Sequence, residues 1–140
     1  MEPFTTLALG VDLHLATTAD GGRRTPLLGG YAAENRFKYR PNWGLPGWPD
    51  GEQTAAPVLG FSRKDIQPGE TVGAVLVPLF PDRVPAWRDV QPGDELRMYE
   101  GSQICARGII VWVEPTTWFT TDDDRDRFTE WLRDRISRSH

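Results

Sequence analysis

The stretch LALGVDLHLA, residues 7–16, alternates without a slip. Leu7, Leu9, Val11, Leu13 and Leu15 fall on one side, and Ala8, Gly10, Asp12, His14 and Ala16 on the other. A period of two sustained this long is the signature of a β-strand with one buried face, and a helix would scatter the five apolar residues around its circumference. A strand cannot stand alone, so this stretch commits the rest of the chain to supplying partners. His14 lies on the polar side, as a solvated strand histidine does.

Further strands and turns follow. NRFKYR, residues 35–40, alternates as well: Phe37 and Tyr39 point one way and Arg36, Lys38 and Arg40 the other, which sets three cations in a row. The segments DIQPGETVGAV from Asp65 and DVQPGDELRMY from Asp89 echo one another. In each, Pro followed by Gly predicts a type II turn leading into a strand. The strands are TVGAVLVPLF and ELRMYE, the latter with Leu96 and Met98 on one face, and Gly101-Ser102 turns the chain into QICARGIIVWV. Leu9, Val11, Leu13, Phe37, Leu76, Leu96, Met98 and Ile110 are the expected interior.

Two segments break the pattern. PNWGLPGWPDGEQ, residues 41–53, is rich in Pro and Gly and reads as a long loop carrying Trp43 and Trp48. Those indoles either fold back over one end of the strands or stand ready as anchors for a partner. At the other end, Phe128, Trp131, Leu132 and Ile136 recur at helical spacing. Thr121 suits the cap, Asp122, Asp123 and Asp124 suit the positive end of the dipole, and Arg133, Arg135 and Arg138 suit the negative end. The three-Asp run lacks the spacing and glycine of a calcium loop, so it reads as helix capping.

Composition excludes more than it assigns. A chain of 140 residues fits one domain, and six Trp, six Phe and three Tyr supply a large apolar area. The net charge of −4 gives no bulk attraction for nucleic acid. Residues 21–40 are the exception, with Arg23, Arg24, Arg36, Lys38 and Arg40 against Glu34, a local balance of +4. One cysteine allows no internal disulfide, and Cys105 sits in an apolar strand, where thiols are usually inert. The two histidines, His14 and His140, lack metal-ligand spacing. No phosphate loop follows GGRRTPLLGG, and no nucleophile elbow occurs. MEPFTTLALG, without a basic start or a long apolar run, does not read as a signal peptide, and no apolar run reaches membrane-spanning length. The expectation is a cytoplasmic, non-enzymatic protein without cofactor, metal or membrane partner.

The order of these features resembles the C-terminal β-barrel, the third domain, of the elongation factor Tu family. DGGRRTPLLGGY, RFKYR, QPGETVGAVLV and MYEGSQICARGIIVWV match that family's motifs in order, over roughly residues 7–114. The resemblance implies an all-β fold, a six-stranded antiparallel Greek-key barrel, with Gly21-Gly22 as a hairpin bend and RRTP returning the chain onto the barrel. Residues 1–114 would form the barrel, and 115–140 a linker and an added amphipathic helix packed on it. In that family the domain grips the T arm of aminoacyl-tRNA. Its contacting glutamate falls on Glu100, its contacting glutamine on Arg36, and its Arg-His pair on Arg23 and Arg24. The chain departs from the family in lacking a GTPase domain and a second barrel, and in its Trp-rich loop and terminal helix. Two partners follow as expectations. One is RNA of the tRNA T-arm kind, held by Arg23, Arg24, Arg36, Lys38, Arg40 and Glu100. The other is a protein, as for an antitoxin or immunity protein, anchored by Trp43 and Trp48.

Overall fold

The computed structural model describes residues 4–30, 37, 39–79 and 81–138, with side chains through 135. The chain is mostly β, with one C-terminal helix. Its strands are β1 (Phe4–Leu15), β2 (Leu27–Leu28), β3 (Asn42–Gly44), β4 (Thr54–Ala55), β5 (Val58–Phe61), β6 (Asp65–Ile66), β7 (Thr71–Leu76), β8 (Glu95–Glu100) and β9 (Gln103–Trp118), and the helix is α1 (Asp122–Arg138). Seven strands form one antiparallel sheet in the order β4-β3-β8-β9-β1-β7-β5, and β2 pairs with β6 in a small second sheet.

The alternation of β1 is real. Leu9, Val11, Leu13 and Leu15 are buried in the inner core with Leu76, Leu96, Met98 and Ile110, and Leu7 packs against it. The other face of β1 is only polar at one end, where His14 is exposed. Ala8 is fully buried in a second cluster with Leu59, Val75, Val77, Phe128 and Leu132, because α1 lies across this side of the sheet. Gly10 lies on the same side. A β-carbon there would collide with the Trp112 indole, which stacks on Phe128 of the helix. Apolar burial on both faces explains why TVGAVLVPLF reads as a nearly unbroken apolar run. Val72, Ala74 and Leu76 point into the inner core while Val75 and Val77 meet the helix side.

The two Pro-Gly turns form as expected. Gly69 and Gly93 take φ of 89° and 95°, and Glu70 N–H and Asp94 N–H donate back to Gln67 O and Gln91 O. The echo extends to side chains. Gln67 N–H donates to Glu70 Oε1 at 2.7 Å, and Gln91 N–H to Asp94 Oδ2 at 2.9 Å.

Four expectations need correction. Residues 37, 39 and 40 lie in no strand, and Phe37 has a φ of 68° that breaks the alternation. Tyr39 therefore packs on the inner core while Phe37 lies outside it, against Trp118 at 4.7 Å between ring centroids. The GG segment does not bend β1 back on itself. Thr17 caps a short 3-10 turn over Thr18–Asp20, Gly21 closes it, and the chain then runs to β2, whose partner is β6. The Trp-rich segment is not all loop, since β3 lies inside it. Finally, no linker begins at 115, because β9 continues to Trp118, with Pro115 opposite Leu7. Among the described residues, β9 beyond Ile109 has β1 as its one strand neighbour, and proline is tolerated where a strand has an open side.

The ends of the large sheet are close in sequence. β4 and β5, at opposite ends of the strand order, are separated only by Ala56 and Pro57. Residues 37, 39 and 41 lie alongside: Phe37 N–H donates to Val58 O at 3.1 Å, Val58 N–H to Tyr39 O at 2.9 Å, and Ala56 N–H to Pro41 O at 3.4 Å.

Candidate functional site

Arg23 and Glu100 lie 77 residues apart, and the fold brings them into an ion pair. Glu100 ends β8, just before the hairpin turn in which Gly101 takes a φ of 62°. Arg23 is held by its own loop. Thr18 Oγ1 donates to the Arg23 carbonyl at 2.6 Å, and the Arg23 guanidinium donates through Nε to Thr25 O at 3.2 Å. Nη2 donates to Pro26 O at 3.4 Å, and with two nitrogens thus spent locally, Nη1 is presented to Glu100 Oε2. The same oxygen accepts a second hydrogen bond at 3.1 Å from the Tyr39 hydroxyl, which arrives from the segment beside β5. Both members of the ion pair are partly exposed, so it is a rim feature whose value for stability is small.

Cys105 lies beneath, on β9, and donates weakly to Met98 O at 3.5 Å. Burial, reinforced by the charge of Glu100, pushes its thiol up to about 12. Burial likewise pushes the Tyr39 phenol up, with Cys105 and Glu100 adding to the effect. Both groups therefore stay protonated at neutral pH, and a protonated buried thiol is a poor nucleophile.

The other expected residues are spread out. Arg24 is exposed near Arg23 in the chain. Arg36 and Lys38 lie outside the described residues. Arg40 is exposed and does not join the cluster. Its Nε donates to Phe37 O at 3.1 Å, and it lines a cavity on the helix side of the sheet. Trp43 is 0 % exposed, in the inner core, with Nε1 donating to Ala56 O at 2.9 Å. It cannot anchor a partner, and that expectation is corrected. Trp48 is half-buried against the same core. The reason is a clamp that sequence reasoning missed. Arg97 on β8 reaches back to Asp50 Oδ1 at 2.7 Å and Trp48 O at 2.7 Å, and Gly51 N–H donates to the Tyr99 hydroxyl at 3.0 Å. The one signal available for it was Arg97 itself, a cation between the buried Leu96 and Met98.

Among the described residues no three His, Cys, Asp or Glu side chains come together as metal ligands would, and no helix is long and apolar enough to cross a membrane. Compared with known proteins, the chain matches no family model and no curated protein.

Proposed function

We propose that this chain is a non-catalytic binding module of the elongation factor Tu third-domain kind, working in the cytoplasm and docking on RNA of the tRNA T-arm type. The observation that carries the reading is the meeting of Arg23 with Glu100. The resemblance picks these two residues out of separate motifs, and in the fold they share one rim with Tyr39. Such a rim offers a carboxylate for a ribose hydroxyl or base edge, with the exposed Arg24 beside it for phosphate. A closed six-stranded Greek-key barrel fits the same reading. The two ends of the strand order are two residues apart, and the hydrogen bonds of Ala56, Val58 and Phe37 run across the gap. The protonated state of Cys105 supports a binding role over a thiol enzyme.

Phosphate docking releases counterions, so binding must weaken steeply with salt. In filter binding with bulk tRNA from low to moderate salt, the log–log slope is expected to be markedly negative. Arg24→Ala combined with Arg36→Ala should flatten it by about 1–2, since each phosphate contact contributes about 0.7–0.9. A protein that retains no tRNA even at low salt overturns the proposal.

A further inference from the structure

We infer that the cavity beside the start of α1 is a binding site for a planar ring carrying a phosphate, of the size of one nucleoside monophosphate. Its volume is about 270 Å³, just under the usual range for ligand sites, which suits a single ring and not a row of them. One wall is aromatic. Phe37 and Trp118 have centroids 4.7 Å apart, and Trp118 and Phe119 5.2 Å apart. Phe119 stands 68 % exposed at this wall, a large apolar ring left in water with a flat face to offer. Stacking a second ring on such a face removes apolar surface from water and is tolerant of which base supplies it.

The opposite chemistry is cationic. Arg40 comes from the segment beside β5 and Arg125 from the first turn of α1, so two segments far apart in sequence bring arginines to the lining of one cavity. Arg40 is fixed through Nε to Phe37 O. Arg125 holds Asp122 at 2.7 Å, but that carboxylate is 84 % exposed, so the pair is a weak rim contact that an incoming phosphate can displace. Guanidiniums match phosphate geometry with paired hydrogen bonds.

Thr120 completes the lining, with its Oγ1 turned away from solvent. The site shares no residue with the Arg23–Glu100 rim, so it stands or falls apart from RNA docking there.

The test is isothermal titration of the intact protein with AMP, GMP, CMP and UMP, and separately with the nucleosides and inorganic phosphate. At least one monophosphate is expected to bind at least tenfold more tightly than its nucleoside or phosphate alone. Arg40→Ala and Phe119→Ala should each weaken binding about tenfold while leaving the melting temperature unchanged, because both side chains are exposed. A pentaribonucleotide with and without a 5′-phosphate distinguishes the source. Tighter binding of the phosphorylated strand than of any monophosphate assigns the site to a strand end, and equal or weaker binding assigns it to the free nucleotide. No heat from all four monophosphates at millimolar concentration with folded protein overturns the inference, as does binding that is unchanged in both Arg40→Ala and Phe119→Ala.

Discussion

Cys105 shows how far burial alone can set the chemistry of one residue. Its thiol, pushed up to about 12 by burial and by Glu100, favours the protonated form in the folded state. The raised folded value fixes the sign of the linkage. Its contribution is fully present below the ordinary thiol value of 9.0 and is lost as pH rises through about 12. Urea midpoints should therefore fall between pH 9 and 11, and Cys105→Ala should reduce that fall. At pH 8, iodoacetamide should label the folded protein slowly and the urea-unfolded protein fast. Equal labelling rates would refute the assignment. The burial of the thiol was legible in the sequence, because Cys105 stands in an apolar strand. Gly10 and Trp43 were not. Gly10 faces the side that simple alternation assigns to water, and it is the Trp112 indole of β9, stacked on Phe128 of the helix, that covers it. Trp43 is fixed by a carbonyl thirteen residues away, a contact that no local pattern encodes.

The helix was the most legible element. Its start forms as the capping argument requires, with Asp124 N–H donating to Thr121 Oγ1 at 3.2 Å and the three aspartates in the first turn. Phe128 and Leu132 are buried against the sheet. What the sequence did not reveal is how α1 is tied down. Asp124 binds Arg127, Thr116 and Thr121 at once, and Arg127 reaches Glu114 on β9. The hydrogen bond from Arg127, helped by those from Thr116 and Thr121, holds the Asp124 carboxyl below its usual value. A depressed folded value stabilises above the ordinary 3.8 and is lost as pH falls below it. Stability should therefore drop between pH 5 and 3, and Asp124→Asn should flatten that acid limb when urea midpoints are compared. An identical limb in the variant would show that Asp124 does not hold the helix. The strand pattern was less reliable where a single residue leaves the extended region. One positive φ at Phe37 sends it and Tyr39 to opposite sides of the sheet, whereas the alternation placed them together.

Over the whole molecule, the seam between β4 and β5 decides whether the sheet has edges. If the ring is closed, the amides of Ala56 and Val58, which donate to Pro41 and Tyr39, are interior ladder bonds. Hydrogen exchange should then find them protected to nearly the same degree as the central amides of β1. Exchange as fast as that of an exposed turn would mean an open sheet with a free border. The sequence carried the strand count only approximately, because β2, β4 and β6 are two residues each and leave too short a trace to read. The position of β1 has a further consequence, in time. All twelve residues of β1 pair with β9, and its other flank pairs with β7. During synthesis at about 5–20 residues per second, β1 leaves the ribosome several seconds before its main partner exists. Through that interval Leu9, Val11, Leu13 and Leu15 are an unclaimed sticky ribbon, and the nascent chain depends on its surroundings to keep that ribbon from finding the wrong neighbour.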